Sequence, residues 1–101
     1  MGEGTLVAPH VVLRESGTGV QPYVDGKGIK VKYVADDHER FGLTVDQIAD
    51  NFDLTLAEVH AALAYYFDHR DEIDARLRDD EAVEEELRRQ SMPAVTRPAG
   101  A

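Results

Sequence analysis

The chain opens with short apolar and β-branched runs separated by turn residues, and helical spacing takes over after its first third. His10-Val11-Val12-Leu13-Arg14-Glu15 reads as a strand that ends at Ser16-Gly17-Thr18-Gly19, where the glycines supply a turn. Gln21–Val24 reads as a second strand, and Pro22 puts it at an edge because proline cannot donate to a ladder. After the Asp25-Gly26 turn, Gly28-Ile29-Lys30-Val31-Lys32-Tyr33-Val34 alternates, so Ile29, Val31 and Tyr33 are expected on one face and Lys30 and Lys32 on the other. The three runs together predict a small basic β-ribbon.

Tyr33, Val34, Asp37 and Phe41 then fall at helical spacing until Gly42, which predicts a short helix near 34–41 closed by a left-handed glycine. Thr44-Val45-Asp46-Gln47 and Thr55-Leu56-Ala57-Glu58 both fit a capping box, so two helix starts lie eleven residues apart. Val45, Ile48, Ala49 and Phe52 make the expected inner face of the first helix; Leu56, Val59, Ala62 or Leu63, and Tyr66 make that of the second. The link Phe52-Asp53-Leu54 has about the length of a helix-turn-helix turn.

From Arg70 the apolar positions thin to Ile73, Leu77, Val83 and Leu87 among helix-favouring acids and arginines. A helix with so narrow a seam needs a partner or frays. The predicted fold class is α+β, mostly α. Its expected divisions are a flexible N-terminus (1–9), a β-ribbon with a three-helix, helix-turn-helix-like core (10–70), an acidic C-terminal helix (71–90) and a disordered tail (91–101) marked by Pro93 and Pro98.

The length of 101 residues suits one domain with a modest core. With no cysteine, a disulfide framework and a thiol nucleophile are excluded. No long apolar run or basic leader is present, so a cytoplasmic protein without a membrane segment is expected. The net charge of −9 repels nucleic acid, but it is uneven. Residues 1–35 hold Arg14, Lys27, Lys30 and Lys32 against Glu3, Glu15 and Asp25, whereas residues 36–54 hold six acids against Arg40.

A base-reading helix needs Arg, Lys, Asn or Gln near its start, and residues 55–69 contain none of them. If DNA is bound, the better contacts are Arg14, Lys27, Lys30 and Lys32 on the ribbon, with Thr55 at the head of the second capped helix. The competing reading of those cations is protection of an exposed strand edge. His10, His38, His60 and His69 never show a zinc-binding spacing, and Ser16 and Ser91 lie in a turn and the tail. No catalytic residue, metal or cofactor is therefore expected, and the pairs Asp36/Asp37 and Asp79/Asp80 are read as solvated. Tyr65, Tyr66 and Phe67 point in three directions, so at least one is expected to be exposed or covered by another chain.

Gly28-Ile29-Lys30-Val31, Gly42-Leu43-Thr44-Val45-Asp46-Gln47-Ile48 and the run from Leu54 to Asp74, with its Ala62-Leu63-Ala64-Tyr65 and Asp68-His69, resemble a family of small bacterial helix-turn-helix proteins. That family, once a domain of unknown function, includes VapB-like antitoxins. The resemblance implies an antitoxin-like protein that neutralises a PIN-like ribonuclease toxin and represses its own operator DNA; the absence of catalytic residues and the adjacent aromatics Tyr65–Phe67 add the expectation of a non-enzymatic homodimer. A ribonuclease presents a basic RNA groove, which the acidic helix would cover with Ile73, Leu77, Val83, Glu84 and Leu87. The alternative is a structural or adaptor protein that binds some other basic partner through the same helix and leaves DNA alone.

Overall fold

A computed structural model describes residues 4–17 and 19–95, with side chains as far as residue 90. The described residues form three strands, β1 (Thr5–Ala8), β2 (Val11–Ser16) and β3 (Gly19–Val24), then four helices, α1 (Val31–Glu39), α2 (Val45–Phe52), α3 (Leu56–Asp68) and α4 (Arg70–Val95). The α+β, mostly α class is as expected.

The strands make one antiparallel sheet in the order β1-β2-β3. β2 and β3 pair from Val11↔Val24 to Ser16↔Gly19, and Pro22 sits on an outer strand, where its missing N–H costs least. The turn is braced by Ser16, whose hydroxyl donates to the Gly19 carbonyl at 2.7 Å. β1 is an element that the sequence reading does not contain: Thr5–Ala8 lies in the stretch expected to be flexible. Its signal is only four residues long, but the Pro9-His10 corner, with His10 at φ 65°, folds it back onto β2. Gly4 permits the approach, since a Cβ there would lie 2.1 Å from the Leu13 carbonyl oxygen. Met1–Glu3 lie outside the described residues.

The third predicted strand is not formed. Lys30 makes a single bridge to Tyr23, and Val31 already begins α1. Two periodicities compete over 28–34, and the helical one wins because Val31, Val34 and Ala35 bury one helix face, at i, i+3 and i+4. Tyr33, expected on one face with Ile29 and Val31, is left 45% exposed while Val31 is buried. α1 thus starts three residues before the expected helix, and Gly42 at φ 68° follows its end.

Both capping boxes are complete. The Thr44 hydroxyl accepts from the Gln47 N–H and the Thr55 hydroxyl from the Glu58 N–H, each at 3.1 Å, while the Gln47 and Glu58 side chains accept from the threonine N–H groups at 2.9 Å. Asp53 closes α2 in the left-handed conformation.

The core draws Val11 and Val24 from the sheet, Val31, Val34 and Ala35 from α1, Ile48 and Ala49 from α2, then Leu54, and Val59, Ala62, Leu63 and Tyr66 from α3. Leu56, expected on that inner face, is 49% exposed because it occupies the first turn, beyond the reach of α1. α4 gives the core one fully buried residue, Ile73, with Leu77 packed partly against it. The buried Tyr66 hydroxyl donates to Asp74 at 2.8 Å and ties α3 to α4; burial, with this hydrogen bond, pushes its pKa up to about 12. A second tie runs from the Arg76 guanidinium to the Val20 carbonyl at 2.8 Å. α4 begins one residue earlier than expected and runs through 91–95, a stretch assigned to the tail; residues 96–101 lie outside the described residues.

Replacing Thr55 by alanine should cost about 1 kcal/mol in urea denaturation, since one buried-end N–H loses its acceptor. The Thr55 N–H, assisted by Lys27, holds the Glu58 carboxyl below its usual 4.5, so its stabilisation is present above that pH and is lost as pH falls through the depressed value. Glu58→Gln should therefore flatten the loss of stability between about pH 5 and about pH 3. Ile73→Ala should destabilise by about 2–4 kcal/mol, whereas Val83→Ala should change stability by less than about 0.5 kcal/mol, both read from denaturation midpoints.

Candidate partner-binding site

α4 packs on the core along its first part, through Ile73 and Leu77. At about 1.5 Å per residue a helix of 26 residues spans roughly 39 Å, longer than the 29 and 26 Å cross-dimensions of the molecule. The stripe Ile73, Leu77, Asp80, Glu84, Leu87 repeats at spacings of four and three, so it keeps to one face. Exposure grows along it, from 2% at Ile73 to 58% at Leu87, and every residue from 81 to 90 is exposed. Of the residues expected to meet a partner, Ile73 is instead part of the core and Leu77 is partly committed to it. Val83, Glu84 and Leu87 remain at the surface, with Glu81, Glu85 and Glu86 around them.

The next attachment is ionic. Lys32 on α1 is 4% exposed and its ammonium pairs with Asp80 on α4, while Arg40 after α1 pairs with Glu81 and lies 3.8 Å from Asp36. Between the two helices lies a groove of about 300 Å³. Tyr33, Asp36 and Arg40 form its α1 side; Leu77, Asp80, Glu81, Val83 and Glu84 form its α4 side. Burial pushes the Asp36 carboxyl above its usual 3.8; Arg40 opposes this, and the negative charges of Asp37, Glu81 and Glu84 add to it. Asp36 and Asp80, read from sequence as solvated, are thus drawn into the α1–α4 contact. Nothing local in the sequence marks that contact, because its two halves lie more than forty residues apart.

The cations expected to form a DNA-contacting ribbon are divided among different tasks. Arg14 on β2 lies over the Tyr23 ring at 4.7 Å, and Lys30 is 6.0 Å from the same ring. Lys27 reaches the Asp53 carbonyl at 3.4 Å and Glu58 at 3.5 Å, joining the β3–α1 turn to the head of α3. Lys32 is buried on a helix, not displayed on a strand. Thr55 is occupied as the α3 cap.

Tyr65, Tyr66 and Phe67 diverge as expected: Tyr66 is buried, Tyr65 half-buried and stacked on His69 at 3.9 Å, and Phe67 48% exposed beside His38 and Arg70. Among the described residues no group of three His, Cys, Asp or Glu could hold a metal ion, and no helix is long and apolar enough to cross a membrane.

Removing Asp80 leaves the Lys32 ammonium without its counter-ion in a nearly closed site. Because Asp80 is itself 41% exposed, Asp80→Ala should cost about 1–2 kcal/mol, less than a fully buried pair would, and the double variant Lys32→Met/Asp80→Ala should recover most of it in a double-mutant cycle.

Residues 12–66, from the second position of β2 to the α3 tyrosine that binds Asp74, match a family described as a protein of unknown function, DUF433. No curated protein and no solved structure gives a significant match. The matched span takes in the β2–β3 hairpin, α1, α2 and most of α3, and leaves β1 and α4 outside it. As it covers just over half of the sequence, the chain belongs to the DUF433 family of proteins of unknown function.

Proposed function

We propose that this chain is the antitoxin-like component of a type II toxin-antitoxin pair and that it neutralises a PIN-like ribonuclease by covering a basic surface with the outer part of α4. One observation carries the reading: α4 continues past the core as an exposed acidic helix, with Val83 and Leu87 each 58% exposed among Glu81, Glu84, Glu85 and Glu86. Apolar anchors within a field of one sign suit a partner of the opposite sign, with the charges steering and the apolar pair holding. The resemblance of residues 22–74 to antitoxins supplies the class of partner.

Autorepression of an operator has thinner support. Lys27 and Lys32 are engaged within the fold and Thr55 in its cap, which leaves Arg14 and Lys30 as the cations available to DNA. That division favours, as a second reading, an adaptor that recruits a basic protein through α4 and does not touch DNA.

The test is affinity purification from the native host with the full chain and with Val83→Asp/Leu87→Asp, whose exposed sites tolerate the change. Expected is a basic ribonuclease retained by the first and lost by the second, with its RNA cleavage suppressed when the full chain is added. Retention of a basic protein without nuclease activity would move the conclusion to the adaptor, and equal retention by both forms would remove α4 from the interface. Salt-dependent DNA binding abolished by Lys30→Glu would restore the regulatory role.

A further inference from the structure

The groove between α1 and α4 combines apolar walls with more negative charge than its own cations neutralise. Tyr33 and Val83, 45% and 58% exposed, stand on opposite sides of it, and Leu77 lies half-buried at its inner end. Four carboxylates line it, of Asp36, Asp80, Glu81 and Glu84. Lys32 answers Asp80, and the single guanidinium of Arg40 is shared between Asp36 and Glu81. The Glu84 carboxylate makes no hydrogen bond or ion pair among the described residues. Like charges gathered in a partly desolvated recess repel one another, and a cation entering it removes that cost. Burial pushes the Asp36 carboxyl upward, and the neighbouring charges of Asp37, Glu81 and Glu84 add to that push against the opposing Arg40.

Resting on the reading of α4 as a site for a basic partner, we infer that this groove seats an arginine-bearing amphipathic segment of that partner. An apolar side chain of the segment packs on Tyr33 and Val83 while a guanidinium reaches Asp36 and Glu84. Arginine fits better than lysine for two reasons: its planar fork can bond two carboxylates at once and lie against an aromatic ring, and it is less strongly hydrated than an ammonium. The chain already uses such pairings, with Arg14 over Tyr23 at 4.7 Å and Arg70 over Tyr66 at 5.6 Å. The volume of about 300 Å³ is at the low end for a ligand pocket, enough for one or two side chains.

The experiment titrates the isotope-labelled full chain with three short amphipathic peptides of one sequence, whose basic positions are arginine, lysine or citrulline, and follows amide shifts by NMR. The arginine peptide should shift Tyr33, Asp36 and Glu84 and bind at least about five-fold more tightly than the lysine peptide, with citrulline weakest. Asp36→Asn/Glu84→Gln should weaken the arginine peptide about ten-fold, while Asp79→Asn/Glu85→Gln, the same charge change outside the groove, should have little effect. Equal binding of arginine and lysine peptides, shifts spread evenly along 79–86, no shift at the groove, or a groove already filled by a second copy of the chain would each overturn the inference. The two readings fail separately. A native basic partner still captured by Asp36→Asn/Glu84→Gln but lost by Val83→Asp/Leu87→Asp removes the groove and leaves the α4 reading. Groove binding of the arginine peptide with no basic partner captured does the reverse.

Discussion

The core takes one fully buried side chain from α4, Ile73, and much else follows from that single anchor. Ile73 completes an interior already built by the sheet and α1 to α3, and the Tyr66–Asp74 hydrogen bond fixes the angle at which α4 leaves it. Past Leu77 the bonded contacts of α4 with α1 are ionic, through Lys32–Asp80 and Arg40–Glu81. The stripe itself does not stop there: it runs on to Glu84 and Leu87, both exposed. A helix that is packed at its root and charged beyond it is held in direction while its outer surface stays open.

Features defined by residues close in sequence were legible before the fold was known. The two capping boxes are complete within four residues each, and both helices start where Thr44 and Thr55 place them. The β2–β3 hairpin was readable for the same reason. Features decided by competition or by distance were not. Over 28–34 the alternation of Lys30 and Lys32 with apolar residues imitates a strand, yet burial of Val31, Val34 and Ala35 against α3 makes a helix the better use of the segment. Lys32 therefore changes from an expected surface cation to a buried half of an ion pair. Leu56 shows the converse: its spacing fits the inner face, but its place in the first turn leaves it outside.

The candidate site was half readable. The narrow apolar seam of α4, and its need for something to pack on, are visible in the sequence; which seam residues the domain itself would claim is not, because that depends on the position of Tyr66. Asp36 and Tyr33 join the site only through the crossing of α1 and α4, a contact with no local signature. The cationic ribbon fails for a related reason: four positive residues near one another in sequence end on a strand, a turn, a bridge and a helix, with different neighbours.

The family match begins after β1 and ends at Tyr66, in the last turn of α3 and four residues before α4 begins. In this chain the matched span carries most of the core and a socket for the following helix, made by the place that Ile73 fills and the hydroxyl that Asp74 accepts from. Leu77, Arg76 and the pairs Lys32–Asp80 and Arg40–Glu81 then hold the helix in place outside that socket. Such a division makes the arm separable from the interior: a change beyond Glu81 alters the outer surface of α4 without touching the residues that hold the fold together.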